Sequence, residues 1–307
     1  MNKKKIIVIT GPTASGKSAL GFHLAKKLNT QIISADSRLI YRDFEIAAAK
    51  PHKDMINEVI HHLVNFVDPN YQYTAGDFVF HARNLIENIH NKGKIPIFVG
   101  GTYLYYKVLL DGYDLPKCNI NYEYRDYLKT KSDLQLYDML LQYDFNAAQK
   151  IHVNNRVKVV RALELIHKFG MKLEDILKEH QDDNDKCQHD ILWFGLKTND
   201  REFLYKRINQ RVDNMMDIGL LNETIQNYKK YKDLPSFINT IGYCELIDYI
   251  NKKTTLDEAV DKIKQHTRNY AKRQLSFMNT NQNIKWFNID ETDFESMFKS
   301  VYSKILD

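Results

Sequence analysis

Short, unbroken apolar runs recur along the chain, with longer stretches of helical period between them. The runs Lys5–Thr10, Gln31–Ser34, His62–Val67, Ile95–Val99 and Ile191–Leu196 are continuous rather than alternating. A strand wetted on one face alternates polar and apolar positions, so continuous runs predict strands covered on both faces, as in a parallel sheet. Ser18–Leu28 and Phe78–Asn91 supply helices between them, with apolar residues at helical spacing in helix-forming composition. The gap from Val99 to Ile191 is longer than a normal sheet connection. Within it Tyr122–Lys131, Leu134–Tyr143, Ala147–Ile151 and Asn155–Phe169 read as helices. The pattern predicts an α/β fold: a parallel sheet flanked by helices, its core divided into 1–116 and 191–307 by a helical insertion over 117–190. Glu179–Asp190 is polar and is the expected exposed return link. From Asp200 the chain is expected to be helical almost to its end, over Asp200–Gly219, Glu223–Tyr231, Tyr243–Ile250 and Leu256–Phe277.

Composition narrows the class without deciding it. The 307 residues can bury a large core, and 43% hydrophobic with 27% charged residues is ordinary for a globular protein. The net charge of +5 is mild, so a nucleic-acid surface has to come from clustered cations rather than bulk charge. Cys118, Cys187 and Cys244 lie too far apart for a disulfide framework or a zinc spacing, which points to a reducing cytoplasm. Lys3-Lys4-Lys5 imitates the start of a secretion signal. Only five residues separate Lys5 from Gly11, short of the about 7–15 apolar residues such a signal needs. No run approaches the roughly 18 apolar residues of a membrane span. The expectation is a cytoplasmic monomer with no membrane partner.

The first apolar run is followed by Gly11-Pro12-Thr13-Ala14-Ser15-Gly16-Lys17-Ser18, the pattern G-x-x-x-x-G-K-[ST] placed between a strand and a helix. Backbone N–H groups of such a loop, a P-loop of the kind found in ATP- and other nucleotide-binding proteins, converge on phosphate oxygens, and the helix N-terminus adds positive potential. Lys17 reaches the outermost phosphate, and the Ser18 hydroxyl is placed to hold Mg²⁺ or its water. The bland alternative is a glycine turn that only joins strand to helix.

Ligands of an open parallel sheet sit beyond the carboxyl ends of its strands. Two further strand ends therefore matter. Asp36-Ser37-Arg38 follows the second run and Gly100-Gly101-Thr102 follows the fourth. Asp36 reads as a general base, as a Mg²⁺ ligand, or as a cap on the segment after it. The glycine pair lets the backbone approach a ligand closely, with Thr102 offering a hydroxyl; a tight turn with a capping threonine is the plainer reading. No aspartate ends the Ile95–Val99 run, which argues against ordinary ATP hydrolysis. Cations cluster elsewhere. Arg156, Lys158 and Arg161 lie over Val157, Val160 and Leu163, which are expected to pack underneath. Arg207 and Arg211 share one helix face, and Arg268, Lys272 and Arg273 form a third group. Each cluster alone reads as a solvated face; three beside a phosphate loop suggest a polyanionic partner or a diphosphate clamp.

At these residues the chain resembles the tRNA dimethylallyltransferase (isopentenyltransferase) family. Matching blocks span nearly the whole length: Gly11–Ser18, Ile33–Arg38 with Tyr41, Ala49-Lys50-Pro51, His61-His62-Leu63, Asp68-Pro69 and Asp77-Phe78. They continue with Val99–Thr102 and Leu104-Tyr105, Arg161–Glu164, Leu204–Asp213, Ile241-Gly242-Tyr243 and Tyr270–Leu275. The resemblance implies transfer of a dimethylallyl group from dimethylallyl diphosphate to N6 of the adenosine just 3′ of the anticodon, in tRNAs reading codons that begin with U. It implies a P-loop NTPase-like core holding a diphosphate rather than ATP. Gly11, Thr13, Ala14, Ser15, Gly16, Lys17 and Ser18, with Mg²⁺ and Arg207 and Arg211, would stabilise the leaving group. Asp36 matches the base that takes the N6 proton, and Thr102 a threonine at the reacting centre. The adenosine must flip out of the anticodon loop. The positions matching tRNA contacts are Asp36, Ser37, Arg38, Leu39, Thr102, Arg125, Val157, Lys158, Val159, Val160, Arg161, Asn239, Thr240, Ile241, Gly242, Tyr243 and Cys244.

Two positions depart from the family pattern. Leu39 stands where a glutamine reads the target base, and Ala47-Ala48 stands where Gly-Thr is usual. Leucine packs on a ring but cannot hydrogen-bond its edge, so slower or less selective transfer is expected. The rival readings are a P-loop small-molecule kinase, an adenine-nucleotide prenyltransferase, and a non-catalytic RNA-binding descendant of the enzyme. The first leaves the insertion and the distal basic helices without a role, and the second would not need a tRNA-gripping insertion.

Overall fold

Strand β1 (Lys5–Thr10) is buried along nearly its whole length, with Ile6, Ile7, Val8 and Ile9 fully enclosed, because neighbours cover both its edges and both its faces. The computed structural model describes residues 3–110, 121–179 and 189–306. They form two compact units, Met1–Tyr106 with Gln188–Asp307, and Lys107–Cys187.

The first unit holds a six-stranded sheet of order β3-β2-β4-β1-β5-β6, with β2 (Ile32–Ser34), β3 (His61–His62), β4 (Ile97–Gly100), β5 (Asp190–Lys197) and β6 (Lys285–Asn288). Every pairing is parallel, with Ile7 opposite both Ile97 and Leu192. Helices α1 (Lys17–Lys27), α2 (Lys53–Glu58), α3 (Ala75–Asn91) and α4 (Tyr103–Leu110) follow the first four strands, and α4 spans the division between the units at Tyr106. On one face Ile7, Ile9, Ile97 and Val99 pack with Leu20 and Leu24 of α1 and with Met297, Val301 and Ile305 of the C-terminal helix. On the other, Phe78 of α3 and Tyr106 of α4 meet the Phe98 ring. This order sets β2, β4 and β1 side by side, so the loops that leave their carboxyl ends are neighbours.

The second unit contains α5 (Tyr122–Lys129), α6 (Asp133–Tyr143), α7 (Phe145–Lys150), α8 (Arg156–Phe169) and α9 (Leu173–Glu179). Leu128, Leu136, Leu140, Val159, Leu163 and Ile176 form a core of its own. Returning to the first unit, the chain adds α10 (Arg201–Asp217), α11 (Leu220–Tyr231), α12 (Pro235–Ile238), α13 (Tyr243–Ile250), α14 (Leu256–Met278) and α15 (Phe294–Leu306).

Three departures from the sequence expectation have physical reasons. The expected strand His62–Val67 shrinks to His61–His62, because Leu63 and Asn65 adopt positive φ (59° and 57°) and turn the chain out of the sheet. The segment after Asp200 is not all helix: β6 is a four-residue edge strand whose Trp286 and Phe287 lie between Lys285 and Asn288, too short to register as an apolar run. Val157 does not pack underneath its helix; it is 81% exposed, and Val159 and Leu163 take the inner face of α8 instead. The expected boundary at 116/117 and most of the Glu179–Asp190 link fall outside the described residues, as do Cys118 and Cys187. Cys244 is a free thiol.

Candidate active site

The loop Gly11–Ser18 leaves β1 and enters α1 through two conformations that most side chains resist. Gly16 has φ 95° at the helix N-cap, and Ala14 has φ 63°. A Cβ on Gly11 would lie 2.6 Å from the Leu196 carbonyl oxygen and 2.9 Å from Ser15 Oγ. Ser15 Oγ is buried with no hydrogen-bond partner among the described residues, as expected of a cradle completed by its ligand. Lys17 donates to the Pro12 carbonyl at 3.1 Å, folding its ammonium back over the loop. The Lys17 pKa falls from 10.5 to about 8, chiefly through burial and secondly through the nearby Arg211 charge, with Asp36 opposing both. Burial likewise lowers the Arg211 pKa, again offset by Asp36. The two cations and the carboxylate thus share one poorly hydrated space.

Arg207 and Arg211, one turn apart on α10, divide their work. Arg207 Nε donates to the Ala14 carbonyl at 2.9 Å and braces the loop from its exposed rim. Arg211 lines the cavities inside.

Asp36, directly beyond β2, accepts through Oδ1 from the N–H groups of Arg38 (2.8 Å) and Leu39 (3.4 Å). The capping reading is therefore correct as far as it goes: the carboxylate closes the turn after β2 through one oxygen. That turn also fixes the carboxylate against the cavities. Thr102 Oγ1 accepts from the Ser37 N–H at 3.1 Å and faces the Tyr270 hydroxyl. The close approach that Gly100 and Gly101 permit is to protein rather than to ligand. A Cβ on Gly100 would sit 2.1 Å from the Ala35 carbonyl oxygen, and one on Gly101 would sit 2.1 Å from Gln274 Nε2.

Two cavities meet here, both inside the first unit. The larger, about 310 Å³, is walled by Asp36, Ser37, Arg38, Asn239, Thr240, Ile241, Gly242 and Arg273. The smaller, about 90 Å³, is walled by Lys17, Ser18, Ser34, Leu39, Val64 and Val99. Thr13, Asp36, Ala48, Arg211 and Tyr270 belong to both. The phosphate loop thus opens toward a second chamber across a shared wall carrying one carboxylate and one phenol. This geometry suits moving a group from a phosphorylated donor to a second substrate, with proton removal at the junction.

A profile of the family described as IPP transferase matches residues 39–281. The tRNA dimethylallyltransferase of Streptococcus agalactiae is 40% identical over 310 residues, covering 100% of this chain and 99% of that protein. The chain belongs to the IPP transferase family. The tRNA dimethylallyltransferase of Fusobacterium nucleatum is 39% identical over 97% of this chain and 96% of its own. Among solved structures, the tRNA isopentenylpyrophosphate transferase of Bacillus halodurans aligns with a TM-score of 0.74 at 35% identity, over 99% of this chain and 96% of that one. A eukaryotic dimethylallyltransferase, studied acting on tRNA, gives a TM-score of 0.82 at 30% identity, over 99% of this chain and 78% of its own.

Of the positions that the resemblance matched to tRNA contacts, most fall into three groups in this IPP transferase, with Thr102 at the turn beside Ser37. Asp36, Ser37, Arg38, Asn239, Thr240, Ile241 and Gly242 line the larger cavity, where Arg38 donates to the carbonyls of Ser236 and Asn239 and ties the two segments together. Leu39 lies instead in the smaller cavity with Lys17. Arg125, Val157, Lys158, Val159, Val160 and Arg161 belong to the second unit. There Arg125 makes a two-pronged bond to the buried Glu164 at 2.5 and 3.0 Å, and Arg161 approaches the same carboxylate. Two of these side chains are buried rather than presented to solvent. Val159 is buried in the core of the second unit. The Tyr243 ring is fully buried against Phe44 and Phe237, and its hydroxyl donates to Glu223. Cys244 is turned toward Glu245 and His266.

The residues that sequence reading left without a role are Tyr270 and Gln274. They stand four apart on α14, within the noted Tyr270–Leu275 block, but only the tertiary packing shows what they face. For Mg²⁺, a hard cation that takes one or two carboxylates with waters and substrate phosphates, the smaller cavity supplies Asp36, the Ser18 hydroxyl and Ser34 Oγ. Ser34 Oγ is buried without a hydrogen-bond partner among the described residues. That oxygen-only donor set beside a phosphate loop fits the ion.

Proposed function

We propose that this chain transfers a dimethylallyl group from dimethylallyl diphosphate to N6 of the adenosine 3′ of the anticodon in tRNAs that read codons beginning with U. The observation that carries the reading is the shared wall: Asp36 borders both the chamber of Lys17 and Ser18 and the chamber of Asn239–Gly242. With the diphosphate in the Gly11–Ser18 loop, the C1–O bond breaks and its electron pair leaves with the diphosphate. Lys17 and Arg211 hold positive charge where that negative charge grows, in a site too dry to screen it. A new bond forms between C1 and the adenine N6. The N6 proton passes to the Asp36 carboxylate, whose orientation is already set by the Arg38 and Leu39 N–H groups. Ser18 and Ser34 would hold Mg²⁺, which when bound neutralises diphosphate charge and leaves the Asp36 carboxylate to act as the base. The products are the prenylated tRNA, diphosphate and a proton.

The adenosine enters the larger cavity flipped out of its loop, and the second unit, with Lys158 exposed on α8, grips the stem-loop backbone. A tRNA acceptor favours the cytoplasm, and we propose that the protein acts there as a monomer; no helix among the described residues is long and apolar enough to cross a membrane. The kinase and nucleotide-prenylating readings are separated by acceptor and donor. With dimethylallyl diphosphate, unmodified tRNA is expected to be prenylated and AMP left unchanged, with no ATP turnover in the absence of tRNA. Prenylation of AMP at a rate equal to tRNA would overturn the assignment.

A further inference from the structure

Gln274 is a buried amide that the transfer chemistry does not use, yet it touches both halves of the site. Its Oε1 accepts from the Thr13 N–H at 2.8 Å, inside the phosphate loop. Its Nε2 donates to the Gly101 carbonyl at 3.1 Å, one residue before Thr102. The two partners fix which way the amide faces, because an N–H needs the oxygen and a C=O needs the nitrogen. There is no slack: a Cβ on Gly101 would lie 2.1 Å from Nε2. Gly101 precedes the Thr102 hydroxyl that receives the Ser37 N–H, next to Asp36.

We infer that Gln274 is a positioning residue for the transfer, locking the donor cradle at Thr13 to the acceptor-side turn at Gly101-Thr102 so that donor carbon and base stay in register. This rests on the transfer reading above. A strut that sets the distance between two reacting partners acts on the chemical step: misplacement by about 1 Å costs on the order of 100-fold in rate.

The test uses two variants of the full chain beside the wild type. Gln274→Met keeps the length and removes both bonds. Gln274→Glu reproduces both bonds only when protonated, its O–H donating to Gly101 and its C=O accepting from Thr13. When ionised it sets a carboxylate oxygen against a carbonyl oxygen. That contact and burial raise the pKa of the new carboxyl above the ordinary range. Steady-state prenylation of tRNA, melting temperature and inorganic diphosphate affinity are measured from pH 5.5 to 8.5. The expected result is a Met variant with kcat down about 10- to 100-fold and KM for tRNA unchanged at every pH. The Glu variant is expected to climb toward the wild-type rate and diphosphate affinity as pH falls. A folded Met variant at the wild-type rate would overturn the inference. So would a Glu-to-wild-type ratio that stays flat with pH while both variants lose melting temperature, since that is the mark of a merely structural role. If wild type makes no prenylated tRNA, the transfer reading fails on its own, and the diphosphate affinities still decide whether Gln274 sets the loop.

Discussion

Lys17 carries the sharpest consequence of burial. In the folded, unliganded protein it releases its proton near pH 8, whereas an unfolded chain holds it to about 10.5. Between those values the unfolded state binds more protons, so this group makes the unliganded protein more stable as pH rises from 8 to 10.5. Diphosphate binding needs the charged form. Its affinity is therefore expected to fall as pH rises through about 8, by up to about tenfold per unit, and Lys17→Met is expected to remove that slope. Calorimetric titration with inorganic diphosphate at several pH values reads it directly. Leu39 makes a second residue-level case. Its N–H supports Asp36 while its side chain lines the smaller cavity. Leu39→Gln is expected to raise rate or selectivity for the target adenosine; no gain in either would show that the apolar residue carries no functional penalty. At this scale Lys17, Ser18 and Asp36 were legible because the phosphate-loop pattern and strand-end positions are local. Gln274 was not, since nothing local distinguishes a buried amide on α14 from a solvated one until Thr13 and Gly101 are brought to it.

Among elements, the segment 45–50 between β2 and α2 illustrates how a loop is held without regular structure. Glu223 of α11 accepts from three successive backbone N–H groups, those of Glu45, Ile46 and Ala47, at 3.1, 2.7 and 3.0 Å. The same carboxylate receives the Tyr243 hydroxyl at 2.7 Å. Ala47 and Ala48 of this loop wall the cavities. Glu223→Gln turns an N–H₂ toward N–H donors and is expected to destabilise by about 2 kcal/mol, with a raised KM for tRNA, read by denaturant unfolding and steady-state kinetics. The element pattern itself was largely readable: β1, α1, α13 and α14 appear within a residue or two of their expected places, because each has either an unbroken apolar run or a full amphipathic period. β6 was hidden by its four-residue length, and β3 by the positive-φ turns at Leu63 and Asn65.

For the whole molecule, separate cores predict separable effects. Glu164 is 7% exposed and answers two arginines within the second unit. Glu164→Ala removes the acceptor that Arg125 and Arg161 share and is expected to destabilise that unit by about 2 kcal/mol, weakening tRNA binding while leaving diphosphate affinity intact. Equal loss of both would contradict the division of labour. The measurement that tests the central claim most directly is nucleoside mass spectrometry on unmodified tRNA incubated with Mg²⁺, dimethylallyl diphosphate and either wild type or Asp36→Ala. The account predicts N6-dimethylallyladenosine with the wild type and a loss of about 100-fold or more in the variant, which lacks the base at the shared wall. Equal product from both proteins, or none from the wild type despite tRNA binding, would contradict it.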